Sequence, residues 1–177
     1  MKRCAYCGTD ILFVEGRTVD GLHFCNSRCA SHAPFFPFTD QVTSDELDDF
    51  VNKIYKGNCP VCNKRGPVNF YLSHRISSAL VMSSWGSRHK ICCRRCGTKM
   101  LLLAMFRCFF LGWWNFPWGV IMTPVQIIRN SVEILNGYIQ EKPSGRFRRA
   151  LKLKLAKFYM EKRKKEQEEE ERELVMA

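Results

Sequence analysis

The chain has 177 residues, ten of them cysteines, and a formal net charge of +11. That length accommodates one ordinary domain or a few small modules, and small modules usually need metals or disulfides to compensate for a limited core. Met1-Lys2-Arg3 leads directly into a cysteine motif rather than into an apolar run with a cleavage site, so we expect no secretory signal. A reducing compartment favours metal binding over disulfides.

The charge is unevenly distributed along the chain. Residues 100–140 contain only Arg107, Arg129 and Glu133 as charged residues, whereas the sections before and after them are rich in Lys and Arg. An apolar block between two basic blocks fits contact with an anionic membrane surface or with nucleic acid. The charge pattern alone leaves both interpretations open.

Residues 1–33 are predicted to form a treble-clef-like zinc module. Tetrahedral zinc needs four ligands, and two close cysteine pairs meet that requirement. Gly8 gives the first pair the backbone freedom that such a turn needs. The run from Phe24 to Cys29 is typical of a strand that leads into the first turn of a helix. His32 is an alternative to Cys29 as a ligand, although a surface role suits it and His23 better. The expected ligands are Cys4, Cys7, Cys25 and Cys29.

Residues 34–57 are predicted to be a connector with one short helix. Thr43 and Glu46 have the spacing of a capping box, and acidic residues follow Thr43, as favours a helix N-terminus. Gly57 suits the end of the helix. One face of the helix is predicted to be apolar, with Leu47, Phe50, Val51 and Ile54 on it.

Residues 58–99 are predicted to form a second zinc module, of the zinc-ribbon type. Residues 68–85 between its cysteine pairs are rich in β-formers and predict two or three short strands. Cys92 leaves the register open, because its spacing to Cys96 repeats that of the first module. Cys93 is preferred since Cys-x-x-Cys-Gly is common in rubredoxin-like turns. The expected ligands are Cys59, Cys62, Cys93 and Cys96.

Eight thiolates in two sets of four predict two structural zinc ions. A catalytic zinc keeps an open position and usually has a histidine or carboxylate ligand, so closed four-cysteine sites argue against metal catalysis. Iron–sulfur clusters and dithiol redox chemistry are weaker alternatives. The sequence has no phosphate-binding loop and no Ser-His-Asp candidate, and we expect the protein not to be an enzyme. Cys92 and Cys108 are expected to be buried thiols, and His74 and His89 are given no chemical role.

Residues 100–140 are predicted to form an apolar helical hairpin with its bend at 112–119. Gly112, Pro117 and Pro124 interrupt what would otherwise be one long apolar segment. Each arm of about 12 residues would reach about 18 Å, which is too short to cross a bilayer. We therefore expect a re-entrant or interfacial hairpin, with a soluble core as the alternative. Tryptophan prefers the membrane interface, and the expected interface residues are Trp113, Trp114 and Trp118.

Residues 141–177 are predicted to form a charged, amphipathic helical tail. Basic residues alternate there with apolar ones in a pattern that suits anionic lipid, although a solvated helix gives the same pattern. The acidic run 166–173 is expected to pair with basic residues four positions away. The apolar side chains of this helix are Phe147, Leu151, Leu155, Phe158 and Tyr159.

These motifs together resemble a family of small bacterial proteins of uncharacterised function. Its members have two cysteine modules followed by a Leu-Gly-Trp-Trp-Gly-Phe-Pro-Trp-Gly stretch, which runs into Thr-Pro-Val-Gln and Arg-Asn. The matching segments here are 4–8, 24–29, 59–62, 92–99, 111–119 and 123–130. Asn115 stands where the family has glycine. The resemblance implies zinc binding and membrane association, and it implies no activity.

The sequence therefore favours a zinc-binding, membrane-associated adaptor with its zinc modules and tail on the cytoplasmic side. Its expected partners are a membrane surface and an unidentified protein, and we expect no small-molecule substrate. The alternative is a cytoplasmic zinc ribbon that binds nucleic acid and has a soluble helical core. The candidate anion-binding residues are Arg88, Lys90, Arg94, Arg95 and Lys99.

Overall fold

The structure is a computed structural model that describes residues 2–11, 16–79, 82–111 and 118–176. Side chains are described throughout these ranges except at 75–79, 82–87, 111, 118, 119, 122 and 173–175. The described chain contains helices and two separate two-stranded antiparallel sheets. This confirms the predicted α+β class. A continuous cluster of buried residues runs from Cys4 to Ala156 and draws on most of the elements.

The first sheet is a short hairpin of β1 (Arg17–Val19) and β2 (Leu22–Phe24). Its two-residue turn consists of Asp20 and Gly21, both with positive φ, as is preferred in tight β-hairpins. Helix α1 (Ser27–Ala30) follows directly and leads to a 3-10 helix, Ala33–Gln41. The strand-to-helix transition expected after Phe24 is present.

The predicted connector helix is α2 (Ser44–Tyr55). Leu47 and Val51 are buried on its apolar face. Thr43 is the N-cap residue, but its side chain makes no capping hydrogen bond, so the predicted capping box is wrong. Glu46, the other half of that motif, instead accepts a 2.7 Å hydrogen bond from the hydroxyl of Tyr159. A tertiary contact has therefore taken the place of the local one.

The second sheet is one long hairpin rather than several short strands. Strands β3 (Val68–Ala79) and β4 (Met82–Cys93) pair along their full length of 12 residues each, from Val68 opposite Cys93 to Ala79 opposite Met82. Of the two or three short strands predicted, two are present, but they are long, and the serines at 73, 77, 78, 83 and 84 lie within the ladder. Serine fits a long ladder well when its neighbours supply the β propensity.

Helices α3 (Arg94–Leu111) and α4 (Trp118–Ile139) pack on this hairpin, chiefly on β3. They run in opposite directions: Arg94 at the start of α3 lies on Tyr138 near the end of α4. Ser131 reaches Met105 farther along. The Tyr71 ring of β3 is wedged between the two helices, and the Cβ of an alanine would lie 2.6 Å from it at Gly97 and 2.8 Å at Gly137. The absence of side chains at these two glycines lets both helices approach the sheet closely.

The open edge of β3 is covered by polar side chains of α4. Asn130 accepts a 2.9 Å hydrogen bond from the His74 N–H and donates a 3.0 Å bond to the His74 carbonyl, as a neighbouring strand would. Glu133 accepts from the Leu72 N–H at 3.4 Å and also pairs with Arg146 at 3.0 Å. An exposed strand edge invites pairing with other chains, and α4 prevents this.

The tail is helix α5 (Gly145–Met176), whose first half packs on α2 and the 3-10 helix. Phe147 and Leu151 are fully buried there, which leaves Phe158 as an exposed aromatic side chain of this helix. The apolar residues that were expected to face lipid thus serve mainly as core. Of the i, i+4 pairs predicted for the acidic run 166–173, Lys162–Glu166 is present at 3.6 Å, and a further pair, Lys157–Glu161 at 3.5 Å, precedes that run.

Candidate metal centres and outer helix face

The first cysteine pair lies on a turn closed by backbone hydrogen bonds. The Gly8 N–H donates to the Cys4 carbonyl at 2.9 Å, and the Cys4 N–H donates to the Thr9 carbonyl at 2.9 Å. Gly8 has φ +69°, a conformation that side chains disfavour. This turn directs both sulfurs to the same point.

The second pair of this module lies where β2 meets α1. Asn26 caps α1 by accepting a 2.9 Å hydrogen bond from the Cys29 N–H, and its amide nitrogen lies 3.5 Å from the Cys25 sulfur. One side chain therefore both starts the helix and positions two sulfurs. The Ala5 N–H donates to the His23 carbonyl at 2.8 Å and fixes the turn against the hairpin.

The second module repeats the first turn almost bond for bond. The Asn63 N–H donates to the Cys59 carbonyl at 2.8 Å, and the Cys59 N–H donates to the Lys64 carbonyl at 3.0 Å. Asn63 takes the left-handed position with φ +53°, as asparagine tolerates better than most residues. The two Cys-x-x-Cys turns are geometrically equivalent.

The other half of the second site differs from the rubredoxin-like turn expected for a zinc ribbon. Cys93 is the last residue of β4, and Cys96 lies in the first turn of α3. This strand-to-helix arrangement matches that of the first module. The Cys93 N–H donates to the Cys59 sulfur at 3.2 Å, and the Val61 N–H donates to it at 3.5 Å.

Each set of four cysteines is brought together in space. Within each set the four sulfurs lie within 4.8 Å of one another, with 3.5 Å between Cys7 and Cys25 and 3.6 Å between Cys62 and Cys93. Four sulfurs each about 2.3 Å from a zinc ion would lie about 3.8 Å apart, so both sets fit tetrahedral zinc. Cys93 rather than Cys92 belongs to the second set. All ten cysteines are free of disulfides.

The thiols in these clusters perturb one another strongly. Hydrogen bonds from the Cys25 and Cys29 thiols hold the pKa of Cys4 far below its usual value, whereas such bonds raise the pKa of Cys29. Burial opposes ionisation of Cys59, but backbone N–H donors still hold its pKa at about 6. Four thiols this close cannot all ionise unless a cation compensates their charge, and a divalent soft metal ion does so.

The remaining candidate ligands lie outside both clusters. The His32 ring stacks on Tyr6 with 4.0 Å between centroids, and His23 Nδ1 lies 2.9 Å from the Thr18 hydroxyl. Cys92 is buried beside the second site, and burial raises its pKa to about 12. Cys108 is also buried and lies 3.8 Å from the His74 carbonyl. These thiols behave as the small core residues that the sequence predicted.

The basic residues singled out in the sequence separate into two places. Arg94, Arg95 and Lys99 line one pocket beside the second site. Arg88 and Lys90 are exposed on β4 and do not line that pocket. Of the tryptophans, Trp113 and Trp114 lie outside the described residues, and Trp118 is described only as the first residue of α4. Their predicted interfacial role therefore stays a prediction.

Helix α4 is inside out: it buries polar residues and exposes apolar ones. Its inward face, which meets β3, carries the buried polar residues Thr123, Gln126 and Asn130. Among the described residues, the Thr123 hydroxyl and the Gln126 amide oxygen have no hydrogen-bond partner. The opposite face is apolar and exposed at the regular helical spacing of residues 121, 128, 132, 135 and 139. A water-soluble surface helix has the reverse arrangement.

Helix α3 continues this exposed apolar surface. Leu101, Ala104 and Cys108 point into the core, while the opposite side of the helix is exposed. Both helices pack on β3, so their exposed sides face away from the sheet. We call this surface the outer face. Its large side chains, each more than half exposed except the slightly less exposed Val132, are Leu102, Leu103, Phe106, Phe109, Phe110, Ile121, Ile128, Val132, Leu135 and Ile139.

The outer face was missed as a pattern in the sequence because apolar periodicity is the same whether the apolar side faces a core or a partner. The sign that distinguishes them is the polar motif Thr123, Gln126 and Asn130, which would be expected outside and lies inside.

Among the described residues, no helix combines the length and the apolar character needed to cross a bilayer. Comparisons with protein-family models, with curated proteins and with solved structures gave no match to this chain.

Proposed function

We propose that the chain is a non-enzymatic adaptor, held together by two structural zinc ions, that lies on an anionic membrane surface through its outer face. The observation that carries this proposal is the inside-out arrangement of α4. Monomeric soluble proteins rarely expose large apolar patches, and such patches mark membrane or protein interaction sites.

The energy available from this face is large. Ten large apolar side chains, each about half exposed, would gain on the order of 10 kcal/mol if all were removed from water. The stripe on α4 runs along most of the helix rather than being concentrated at one end. A helix that lies in the plane of the interface needs such a stripe, whereas one that plunges into the bilayer needs apolar residues all round. An interfacial position therefore fits better than a re-entrant one.

The zinc modules support the adaptor role by their chemistry. Four thiolates complete a tetrahedral shell and leave no position for a substrate or a water molecule, so each ion acts as a structural cross-link. The sheet, both cysteine clusters and α5 would stand above the outer face, on the cytoplasmic side in our proposal. There they would be accessible to a protein partner.

Nucleic-acid binding is the second candidate function. The pocket that contains Arg94, Arg95 and Lys99 supports it, because basic residues near a zinc site suit the phosphate backbone. However, Arg88 and Lys90 lie apart from these three, and nucleic-acid binding gives no reason for the outer face. The membrane proposal accounts for more of the molecule.

The test is co-sedimentation of the zinc-loaded protein with vesicles of phosphatidylcholine containing an anionic lipid. Wild type should pellet with them, and the double variant Ile128→Asp/Leu135→Asp should stay in the supernatant with both zinc ions bound. Phe158→Asp is the matched control, since Phe158 and Ile128 are both 61% exposed but lie on different helices. The proposal would be overturned if the wild-type protein bound none of the vesicles. It would also be overturned if the wild type formed a stable oligomer that these aspartates dissociate.

A further inference from the structure

A basic pocket lies at the start of α3, beside the second cysteine cluster. Its volume is about 680 Å³. Cys62 and Cys96 form part of its wall. The polar and aromatic residues that line it are Lys64, Arg94, Arg95, Thr98, Lys99 and Tyr138.

The pocket concentrates positive charge that is not neutralised by acidic side chains. Among the described residues, no Asp or Glu lines it. Lys64, Arg95 and Lys99 also form no ion pair within the described chain. A zinc ion with four thiolates carries a charge of −2, which offsets about half of the four side-chain charges. The remainder is reinforced by the dipole of an 18-residue helix, whose N-terminal end favours anions.

One cation in the pocket is held in place by an aromatic ring. The guanidinium carbon of Arg94 lies 3.4 Å from the centroid of the Tyr138 ring. This contact orients the planar donor group before any ligand arrives, so less side-chain entropy is lost on binding. Because Tyr138 belongs to α4, the pocket also requires the two helices to be packed together.

The pocket is continuous with the outer face. Arg95 and Lys99 precede Leu102, Leu103 and Phe106 at helical spacings of three and four, so they lie on the same side of α3. Read along this side, α3 begins with two exposed cations and continues with exposed apolar residues. A ligand that combines an anionic group with hydrocarbon would meet both parts.

We propose that this pocket is a phosphate-binding site, and that the phosphate it takes is the headgroup of an anionic phospholipid at the edge of the outer face. The inference rests on the proposed membrane function and adds to it a chemical preference for phosphate. Arg94 and Arg95 offer planar forks of N–H donors, Lys64 and Lys99 offer ammonium groups, and Thr98 offers a hydroxyl. These groups suit a phosphomonoester, which has three terminal oxygens.

The first experiment measures vesicle affinity with matched variants. With vesicles that contain phosphatidic acid, Arg95→Gln/Lys99→Gln should weaken binding about a hundredfold, because each side chain loses a charge-assisted hydrogen bond to the phosphate and one such bond contributes about a factor of ten. Arg88→Gln/Lys90→Gln removes the same charge from exposed positions outside the pocket. It should weaken binding less than threefold. Equal losses in both variants would mean general surface electrostatics and would overturn the pocket.

The second experiment separates the pocket from the membrane. Dihexanoyl phosphatidic acid below its micelle concentration is titrated into the zinc-loaded protein, and backbone amide shifts are followed by NMR. Saturable shifts at Arg95, Thr98 and Lys99 are expected, together with weaker shifts for inorganic phosphate. Shifts without vesicle binding would uphold the pocket and reject the membrane proposal. Vesicle binding without these shifts would support the membrane proposal and reject the pocket as a phosphate site. If a single-stranded oligonucleotide bound more tightly than the lipid and shifted the same amides, the lipid would be rejected as the ligand.

Discussion

The two cysteine modules use the same plan at two scales. Each consists of a Cys-x-x-Cys turn, an antiparallel hairpin and a cysteine pair where the second strand meets a helix. In the first module the strands have three residues and the helix four, whereas in the second they have 12 and 18. The small version packs as a cap on the second hairpin, where Tyr6 contacts Phe70 and His89. The large version is the platform on which α4, the outer face and the basic pocket are built.

The geometry of each Cys-x-x-Cys turn, the metal turn of its module, does not depend on the length of the strands and the helix that follow it. Both turns make the same two backbone hydrogen bonds within 0.1 Å of each other in length, although one leads to a three-residue strand and the other to a long one. Their environments differ: Cys4, Cys7 and Cys29 are buried, while of the second set only Cys59 is. We therefore expect the larger structure to depend on the more exposed of the two cysteine clusters.

The largest expected effect follows from this dependence. Cys59→Ser should lose one of the two zinc ions and the protection of β3, β4, α3 and α4 against hydrogen exchange, because structural zinc binding supplies about 10 kcal/mol or more of folding free energy in such modules. Cys7→Ser should lose one zinc ion too, but protection only before α2. Zinc content per chain and residue-resolved exchange measure both.

Cys92→Ser is the matched control for the ligand variants, because Cys92 is buried next to Cys93 without belonging to the four-sulfur set. It should retain two zinc ions. A Cys59→Ser protein with native protection of β3 and β4 would contradict the dependence that we infer. Loss of zinc from Cys92→Ser would place that thiol in the coordination shell instead of Cys93.

The next effect concerns pH and the platform. His74 is buried where β3 meets α3 and α4, and burial, aided by Arg129, lowers its pKa to about 4. The unfolded chain takes up this proton near pH 6.5, so stability that is present above pH 6.5 is lost as the pH falls towards 4, by up to about 3 kcal/mol. The denaturation midpoints of wild type and His74→Gln are measured against pH with zinc in excess. The two curves should be parallel above pH 7 and should converge or cross below pH 6. Curves that stay parallel down to pH 5 would reject the role of His74.

A smaller effect distinguishes packing from metal binding at the start of α3. Gly97 follows the ligand Cys96, yet the structure explains it through Tyr71, whose ring would lie 2.6 Å from an added Cβ. Gly97→Ala should therefore cost about 1–3 kcal/mol by overpacking while both zinc ions stay bound. Gly66→Ala, with nothing within 4 Å, is the control. If Gly97→Ala releases zinc at unchanged stability, the glycine serves the metal turn after all.

The parts of this structure that could be predicted are those fixed by the chemistry of a few residues, such as the ligands of one metal ion. Four thiolates must meet at one ion, so the spacing of Cys59, Cys62, Cys93 and Cys96 predicted which four sulfurs come together, although the rubredoxin-like turn predicted at Cys93 was wrong. The length of β3 and the start of α3 were not predictable, since both depend on pairing and packing over long sequence distances. The inward orientation of Asn130 follows from an open strand edge about 56 residues earlier in the chain. No local pattern around Asn130 encodes that edge.

The smallest expected effect tests the equivalence of the two turns directly. Gly8 and Asn63 occupy the same left-handed position, with φ +69° and +53°. Gly8→Ala should cost about 1–2 kcal/mol because of its Cβ, whereas Gly8→Asn should cost clearly less, since asparagine already holds this position in the second turn. An added Cβ at Gly8 would also come within 3.0 Å of the Arg149 side chain, but both variants share this contact and the long side chain can move. The difference in unfolding free energy between the two variants therefore isolates the backbone term, and equal costs would show that the two turns are alike only in hydrogen bonding.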